Sequence, residues 1–343
     1  MVMASLLTFQ TEAESFSAHG NNMASGLLID LNDGRPMAIT AGLRAPVFST
    51  GVAGGYYGDG DEVSYIDTPG WNGGYESVYI PVETVAAYEV GTDLYPTIAY
   101  LTSVNQESGR LRLTSGSTSG RPRRRNLWAG QVWFITPASQ SGNSGLLIQD
   151  STDFTVIPTN ANLGSCIWYG DVNINGAWNI PVDGMVFASW DNPSAVLSRM
   201  GNTIYCTLDQ NIYEETSGNI WVRIAIFGNA APYAGTGLNY FNAAGQCTFS
   251  TTRKPFVIQG FFYPSTNWQG IGGMVPLGTC GWAVRPATNS TSWNIVRMKG
   301  LMMSGGNVKS GFGRIVRRVS RQTFDIQSEG VSGVKLPVIP NFY

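Results

Sequence analysis

The sequence predicts an all-β protein of antiparallel β-sandwich type, and three observations carry that prediction. Apolar residues alternate with a period of two in many short segments, glycine and proline clusters punctuate them, and little between them has helical spacing. Gly218–Gly228 (GNIWVRIAIFG) shows the pattern most clearly. Ile220, Val222, Ile224 and Ile226 fall on one side of an extended chain, and Trp221, Arg223, Ala225 and Phe227 on the other. One face is fully apolar and the other mixed, with a glycine at each end to start and stop the strand.

Taken in order, residues 1–25 read as an N-terminal arm with one candidate helical turn at Ser5–Phe16. Strand-like segments follow at Leu27–Leu31, Met37–Thr40, Val47–Thr50, Val63–Ile66 and Ser77–Val82. Further ones fall at Thr97–Leu101, Leu111–Thr114, Val132–Thr136, Phe154–Pro158 and Cys166–Tyr169. Gly51–Gly60 and Pro69–Gly74 are glycine-rich, as tight turns between short strands require. Asp191–Gly201 (DNPSAVLSRMG) reads as the clearest helix, with Asn192 as cap, Pro193 at the first helical position and Gly201 at the C-terminal stop. Strands resume at Thr203–Leu208, Ile220–Phe227, Cys247–Thr251, Phe256–Tyr263, Gly281–Arg285 and Ser292–Met302, and a last alternating run is Arg314–Val319.

Roughly seventeen strands with no βαβ alternation exceed the eight of one double-sheet sandwich. They predict two β-domains, residues 26–190 and 191–304, or one sandwich with a projecting insertion. Residues 305–343 then read as a basic C-terminal arm, and deleting Gly305–Tyr343 is expected to leave a folded core.

Of the 343 residues, 43% are hydrophobic, enough for a sizeable core, and only 13% are charged, about half the ~25% of ordinary soluble domains. A surface so poor in charge suits a protein that covers itself with partners, or a β-protein with neutral polar loops. The net charge of −2 is unevenly spread. Lys299–Tyr343 holds seven basic and two acidic residues, a net +5, which leaves 14 basic and 21 acidic residues elsewhere. Such a layout lets a cationic segment meet nucleic acid while an acidic body faces elsewhere. The candidate RNA or subunit contacts are Arg121, Arg123, Arg124 and Arg125 in one polar loop, and Lys309, Arg314, Arg317, Arg318 and Arg321 near the C-terminus. Alternation of Arg314–Arg318 with Ile315 and Val316 also fits an edge strand whose arginines discourage stray pairing.

Cys166, Cys206, Cys247 and Cys280 lie 33 to 41 residues apart, and His19 is the sole histidine. That spacing excludes a zinc site of the usual kinds and predicts four buried thiols, which favours a reducing compartment. The N-terminal MVMASLLTFQTEAE lacks the basic region of a signal peptide, and no apolar run approaches the ~18 residues that span a bilayer. A soluble protein is expected.

No catalytic kit emerges. Ser144 in SGNSG, His19 and one of Asp59, Asp61 or Asp93 could be drawn as a serine-protease triad. Only eighteen residues precede His19, however, too few for the strands that come before the histidine in trypsin-like enzymes. Asp59–Glu62 lacks the loop spacing of an EF-hand and reads as an acidic turn. Glu62 and Glu76 could pair as glycosidase carboxylates, but nothing sets their separation. The ten tryptophans suit sandwich cores and interfaces, or a sugar-binding face using Trp71, Trp178 or Trp268. Asn289-Ser290-Thr291 matches the glycosylation pattern and, without a secretory signal, is expected to be silent.

Strand density, together with phrases such as Gly218–Gly228 and Phe256–Tyr263, resembles the jelly-roll capsid proteins of picorna-like, non-enveloped icosahedral RNA viruses. The length departs from that pattern, being large for one such subunit. The resemblance implies a structural, non-enzymatic virion protein without cofactors, assembled in the host cytoplasm. Its partners would be copies of itself, sister subunits, genomic RNA held by basic segments, and a host receptor. A carbohydrate-binding or tail-fibre-like β-module is the second reading and a trypsin-like serine protease the third.

Overall fold

The computed structural model describes residues 26–29, 35, 37–40, 43–54, 63–88, 97–118, 128–135, 164–210, 213–235, 239–241, 245–287, 290, 292–321 and 327–343. Among these residues every regular element is a β-strand. The first nine are β1 (Gly26–Ile29), β2 (Met37–Thr40), β3 (Val47–Val52), β4 (Val63–Asp67), β5 (Glu76–Pro81), β6 (Val85–Tyr88), β7 (Thr97–Glu107), β8 (Arg110–Ser117) and β9 (Gly130–Ile135). Next come β10 (Ser165–Asn175), β11 (Ala177–Asn179), β12 (Met185–Ser189), β13 (Asn192–Met200), β14 (Thr203–Leu208), β15 (Thr216–Ser217) and β16 (Asn219–Gly228). Five short strands follow: β17 (Asn239–Phe241), β18 (Cys247–Ser250), β19 (Gly260–Phe262), β20 (Gln269–Gly270) and β21 (Val275–Pro276). The last five are β22 (Gly281–Pro286), β23 (Trp293–Ser304), β24 (Asn307–Ser320), β25 (Ser328–Val331) and β26 (Leu336–Val338).

All strand pairings in the sheets are antiparallel, as the all-β reading requires. A 13-stranded sheet runs β20-β24-β23-β13-β14-β11-β10-β16-β12-β21, with β15 on β14 and with β22 joining β23 to β25. Two smaller sheets, β3-β9-β5 and β4-β8-β7-β6, come from residues 47–135. They do not form a separate body. One apolar cluster joins Leu101, Leu111 and Leu113 of the four-stranded sheet and Phe134 of β9 to Ile174, Ile224, Leu301 and Val308 of the large sheet. A second cluster packs Val78, Ile80 and Trp133 against Phe187, Phe227, Phe256 and Tyr343. The small β3-β9-β5 sheet is therefore covered on both faces.

The boundary expected between residues 190 and 191 runs through the large sheet. β12, on one side of it, pairs with β16, on the other, from Met185↔Phe227 to Ser189↔Arg223. The expected C-terminal arm is also part of the fold. β24 pairs with β23 along almost its whole length, β25 with β22, and β26 with β19. Tyr343 is fully buried. An apolar strand pair is more stable inside a sheet than as a loose arm, and Gly305 and Gly306, both at positive φ, close the tight β23–β24 hairpin.

Asp191–Gly201 is a strand and not a helix. β13 pairs with β14 from Ala195↔Leu208 to Met200↔Thr203, so Gly201 (φ 58°) and Asn202 are the two-residue turn of a hairpin. Pro193 sits where the pairing with β23 shifts register, the irregular position at which a sheet tolerates proline. Ala195, Val196, Leu197, Ser198 and Arg199 are all buried, because both faces of the strand are covered. Continuous burial removes the alternation that marks a strand in sequence, and the turn glycine then imitates a helix stop.

β23 is the most enclosed strand, and it carries charge. Arg297 is fully buried among main-chain carbonyls: Nε and Nη2 donate to Gly313 O at 3.0 and 2.8 Å, Nη2 also to Phe312 O at 3.1 Å, and Nη1 to Glu214 O at 2.7 Å. Burial pushes its pKa below the ordinary arginine value, and the carboxylates of Glu215 and Asp209 oppose that shift. Lys299, two residues on, pairs with Glu329 of β25, which also receives Arg285 of β22. The central strand is thus tied to β24 on one side and, past β22, to β25 on the other by charge-assisted hydrogen bonds.

Candidate functional site

Arg121, Arg123, Arg124 and Arg125 lie outside the described residues, as do His19, Ser144, Asp59, Asp61, Glu62, Asp93 and Asn289. The other five predicted contact residues all sit on or just after β24, and the structure spreads them out. From Lys309 to Arg321 an extended strand covers about 40 Å, too far for convergence on one phosphate. Lys309 stacks over the Trp268 ring, its Nζ 4.9 Å from the centroid. Arg314 lies 4.2 Å from the Tyr205 ring centroid and 3.4 Å from a Glu215 carboxylate oxygen. Arg317 and Arg321 are half-buried, whereas Arg318 is exposed.

The outer edge of β24 is closed by acidic side chains. Glu215 accepts the Ile315 N–H at 2.6 Å and Asp209 the Phe312 N–H at 3.3 Å. Carboxylates that occupy edge N–H groups block strand addition, so the cations and anions here serve the fold. At Lys309 and Arg314 the positive charge noticed in the sequence meets aromatic rings and a carboxylate of this chain.

A different surface gathers exposed functional groups. In the β10–β16 pair, Asp171 stands opposite Arg223, Asn173 opposite Trp221 and Asn175 opposite Asn219. The period of two puts these six side chains on one face, together with Tyr169. Trp221 is 69% exposed and Tyr169 45%. Asp171 is held by two guanidiniums: Arg223 Nε donates to Oδ1 at 3.0 Å, and Arg35 Nη2 to Oδ2 at 2.7 Å. The hydrogen bond and charge of Arg223, with Arg35 adding to them, hold its carboxyl below the usual aspartate value against the opposing effect of burial.

The same face of β16 changes character along its length. Trp221 is open to solvent and Arg223 half-buried, but Ala225 and Phe227 are fully buried. Phe227 lies under Phe256 (centroids 4.9 Å apart) and Tyr343 (4.8 Å). The mixed face read from Gly218–Gly228 is therefore half core and half exposed ladder. The sequence pointed instead to Trp71, Trp178 and Trp268 as exposed rings. Trp71 is half-buried with its indole N–H on the Tyr75 carbonyl, and Trp178 packs 5.5 Å from Trp168. Trp268 is exposed and carries Lys309. What marked Trp221 in the sequence was its place beside Arg223 on the mixed face of the strand; the partner strand was not visible there.

Among the described residues no three His, Cys, Asp or Glu side chains gather as metal ligands. None of the four cysteines forms a disulfide; Cys166, Cys206 and Cys280 are buried as expected, whereas Cys247, at the start of the short strand β18, is half-buried. Burial pushes Cys166 and Cys280 up to about 12 and Cys206 up to about 11, which keeps them protonated and unreactive at neutral pH. Glu76 is paired with Arg44 and Lys335. No helix among the described residues is long and apolar enough to cross a membrane.

Comparison with curated proteins and with solved structures finds no match. A family model does match, over residues 26–321, from the start of β1 to just past the end of β24. The chain belongs to that family, DUF6453, a family of unknown function.

Proposed function

We propose that the chain is a structural, non-enzymatic subunit of a virus particle, acting through its surfaces and associating with copies of itself or with sister subunits. The observation that carries this reading is the chemistry of its surface. Among the described residues nine large aromatic side chains are exposed, including Tyr65, Tyr213, Tyr263, Trp268 and Trp293, on a chain only 13% charged. Exposed tyrosine and tryptophan with little surrounding charge is the composition of protein–protein contact surfaces. The antiparallel sheet architecture is compatible with a tiled β-subunit. The cationic residues of β24 do not enter this reading as an RNA-binding arm, because the strand is built into the sheet.

Negative-stain electron microscopy and light scattering after size exclusion test the proposal on the full chain. Rings, closed particles or regular oligomers that weaken when Trp268 and Trp293 are replaced by Ser are expected. A chain that stays monomeric at high concentration, alone and in a lysate of virus-infected cells, would overturn the reading.

A further inference from the structure

The exposed end of the β10–β16 ladder opens into a cleft of about 340 Å³. Trp221, Asp171 and Arg223 line it from the ladder, Ser189 from the adjoining end of β12, and Asp191 and Asn341 complete its polar lining. This volume lies at the small end of the ~300–1,000 Å³ range of small-molecule sites. We propose that this cleft binds a neutral sugar ring, one pyranose residue of a glycan, stacked on Trp221.

Three features select that ligand. The Trp221 ring is the most exposed large aromatic side chain of the described residues, and a flat π-face complements the apolar C–H face of a pyranose. Polar groups share its surroundings: the Asp171–Arg223 pair and the Asn173, Asn175 and Asn219 amides on the same ladder face, and the Asn341 amide in the cleft lining. Paired donors and acceptors of this kind match vicinal hydroxyls, and the mutual hydrogen bonds of Asp171, Arg223 and Arg35 hold two of them in place before a ligand arrives. Asp191 is held likewise, accepting from Ser304 Oγ and the Gly305 N–H at 2.9 Å each.

The charge balance excludes the nearest alternatives. The cleft lining holds two carboxylates, Asp171 and Asp191, and one guanidinium, Arg223, which is already bonded to Asp171, so the lining favours no phosphate, sulfate or sialic acid. A protein hot spot would surround its central ring with apolar contacts that exclude water. On the ladder face the neighbours of Trp221 are instead amides and an ion pair, which suit a ligand made of hydroxyls and bridging waters, while Trp190 and Met303 add apolar lining to the cleft. The inference goes beyond the structural role and does not depend on particle assembly.

Saturation-transfer NMR on the full chain, with glucose, galactose, mannose and N-acetylglucosamine as probes and N-acetylneuraminic acid as the charged comparison, tests it. Saturable binding of at least one neutral sugar is expected, weakened about tenfold or more in Trp221→Ala and in Asp171→Asn and unchanged in Trp293→Ala. Trp221 is open enough that its replacement should leave the melting temperature within error. Binding of none of the four, binding of the acidic sugar alone, or equal binding by Trp221→Ala would overturn the proposal. Loss of self-association in Trp221→Ala without any sugar binding would assign the ring to a protein interface and would overturn it too.

Discussion

The Tyr343 phenol donates to the Pro255 carbonyl at 2.6 Å and accepts the Val257 N–H at 3.2 Å. Its ring is fully buried, edge-on to Phe227, and burial pushes its pKa well above the ordinary tyrosine value. Removing only the oxygen leaves two buried main-chain groups without this partner. Tyr343→Phe is expected to cost about 1–3 kcal/mol, read as a lower urea midpoint with an unchanged slope. A midpoint equal to the parent's would show that the phenol contributes nothing net.

A chain lacking residues 305–343 is expected to lose its cooperative fold. The deletion takes β24 from the edge of β23, β25 from β22 and β26 from β19, and it uncovers Phe227 and Phe256. Circular dichroism and heteronuclear NMR of the truncated chain check this. A dispersed spectrum and a sharp melt would restore the view of the segment as a dispensable arm.

Arg297→Lys is expected to destabilise by roughly 3–5 kcal/mol, the range for breaking a buried, fully bonded charge. A lysine has one ammonium where the guanidinium reaches three carbonyls, those of Phe312, Gly313 and Glu214. Denaturant unfolding of the pair Arg297→Lys and Arg318→Lys separates this from a general charge effect. The exposed Arg318 variant should stay within about 0.5 kcal/mol of the parent.

Gly300 faces Gly311 across the β23–β24 ladder, and a Cβ there would lie 2.2 Å from the Leu197 carbonyl oxygen of β13. That contact is with backbone and cannot be relieved by a rotamer change, so Gly300→Ala should force β13 and β23 apart. A loss of about 1–3 kcal/mol, typical of overpacking, is expected in thermal unfolding. The Gly51→Ala control, where nothing lies within 4 Å of the added carbon, should show little change.

Stability should fall in alkali. The folded chain raises the thiols of Cys166 and Cys280 to about 12 and that of Cys206 to about 11, from an ordinary 9.0, chiefly by burial. A raised folded value means that the unfolded chain releases protons the folded one keeps. The contribution is complete below about pH 9 and is lost as pH climbs towards 12. Urea midpoints from about pH 7 to pH 11 check the sign, and Cys280→Ala should shallow the decline. A midpoint that rises over this range would contradict the burial of these thiols.

Legibility in the sequence followed the way each strand is covered. Met37–Thr40 and Thr203–Leu208 were read at their true bounds, and Ile220–Phe227 within one residue at each end, because each alternates or ends at a turn residue. Asp191–Gly201 misled because β13 is buried on both sides and ends in a hairpin glycine. Of the candidate contacts, Arg314–Arg318 fit an edge-strand pattern in the sequence and lie on β24, yet the carboxylate and rings that engage Arg314 and Lys309 lie far away in the chain, at 205, 215 and 268.

Period-two patterning and glycine punctuation were sufficient to specify an antiparallel β-protein, and apolar flanks to mark three of the four cysteines as buried, since each is a property of a few adjacent residues. The single 13-stranded sheet, the docking of residues 305–343 and the ladder that sets Asn173 beside Trp221 and Asp171 beside Arg223 follow from pairings between segments some 50 to 110 residues apart. Such pairings depend on which surfaces the whole chain buries together, and no local stretch of residues encodes that choice.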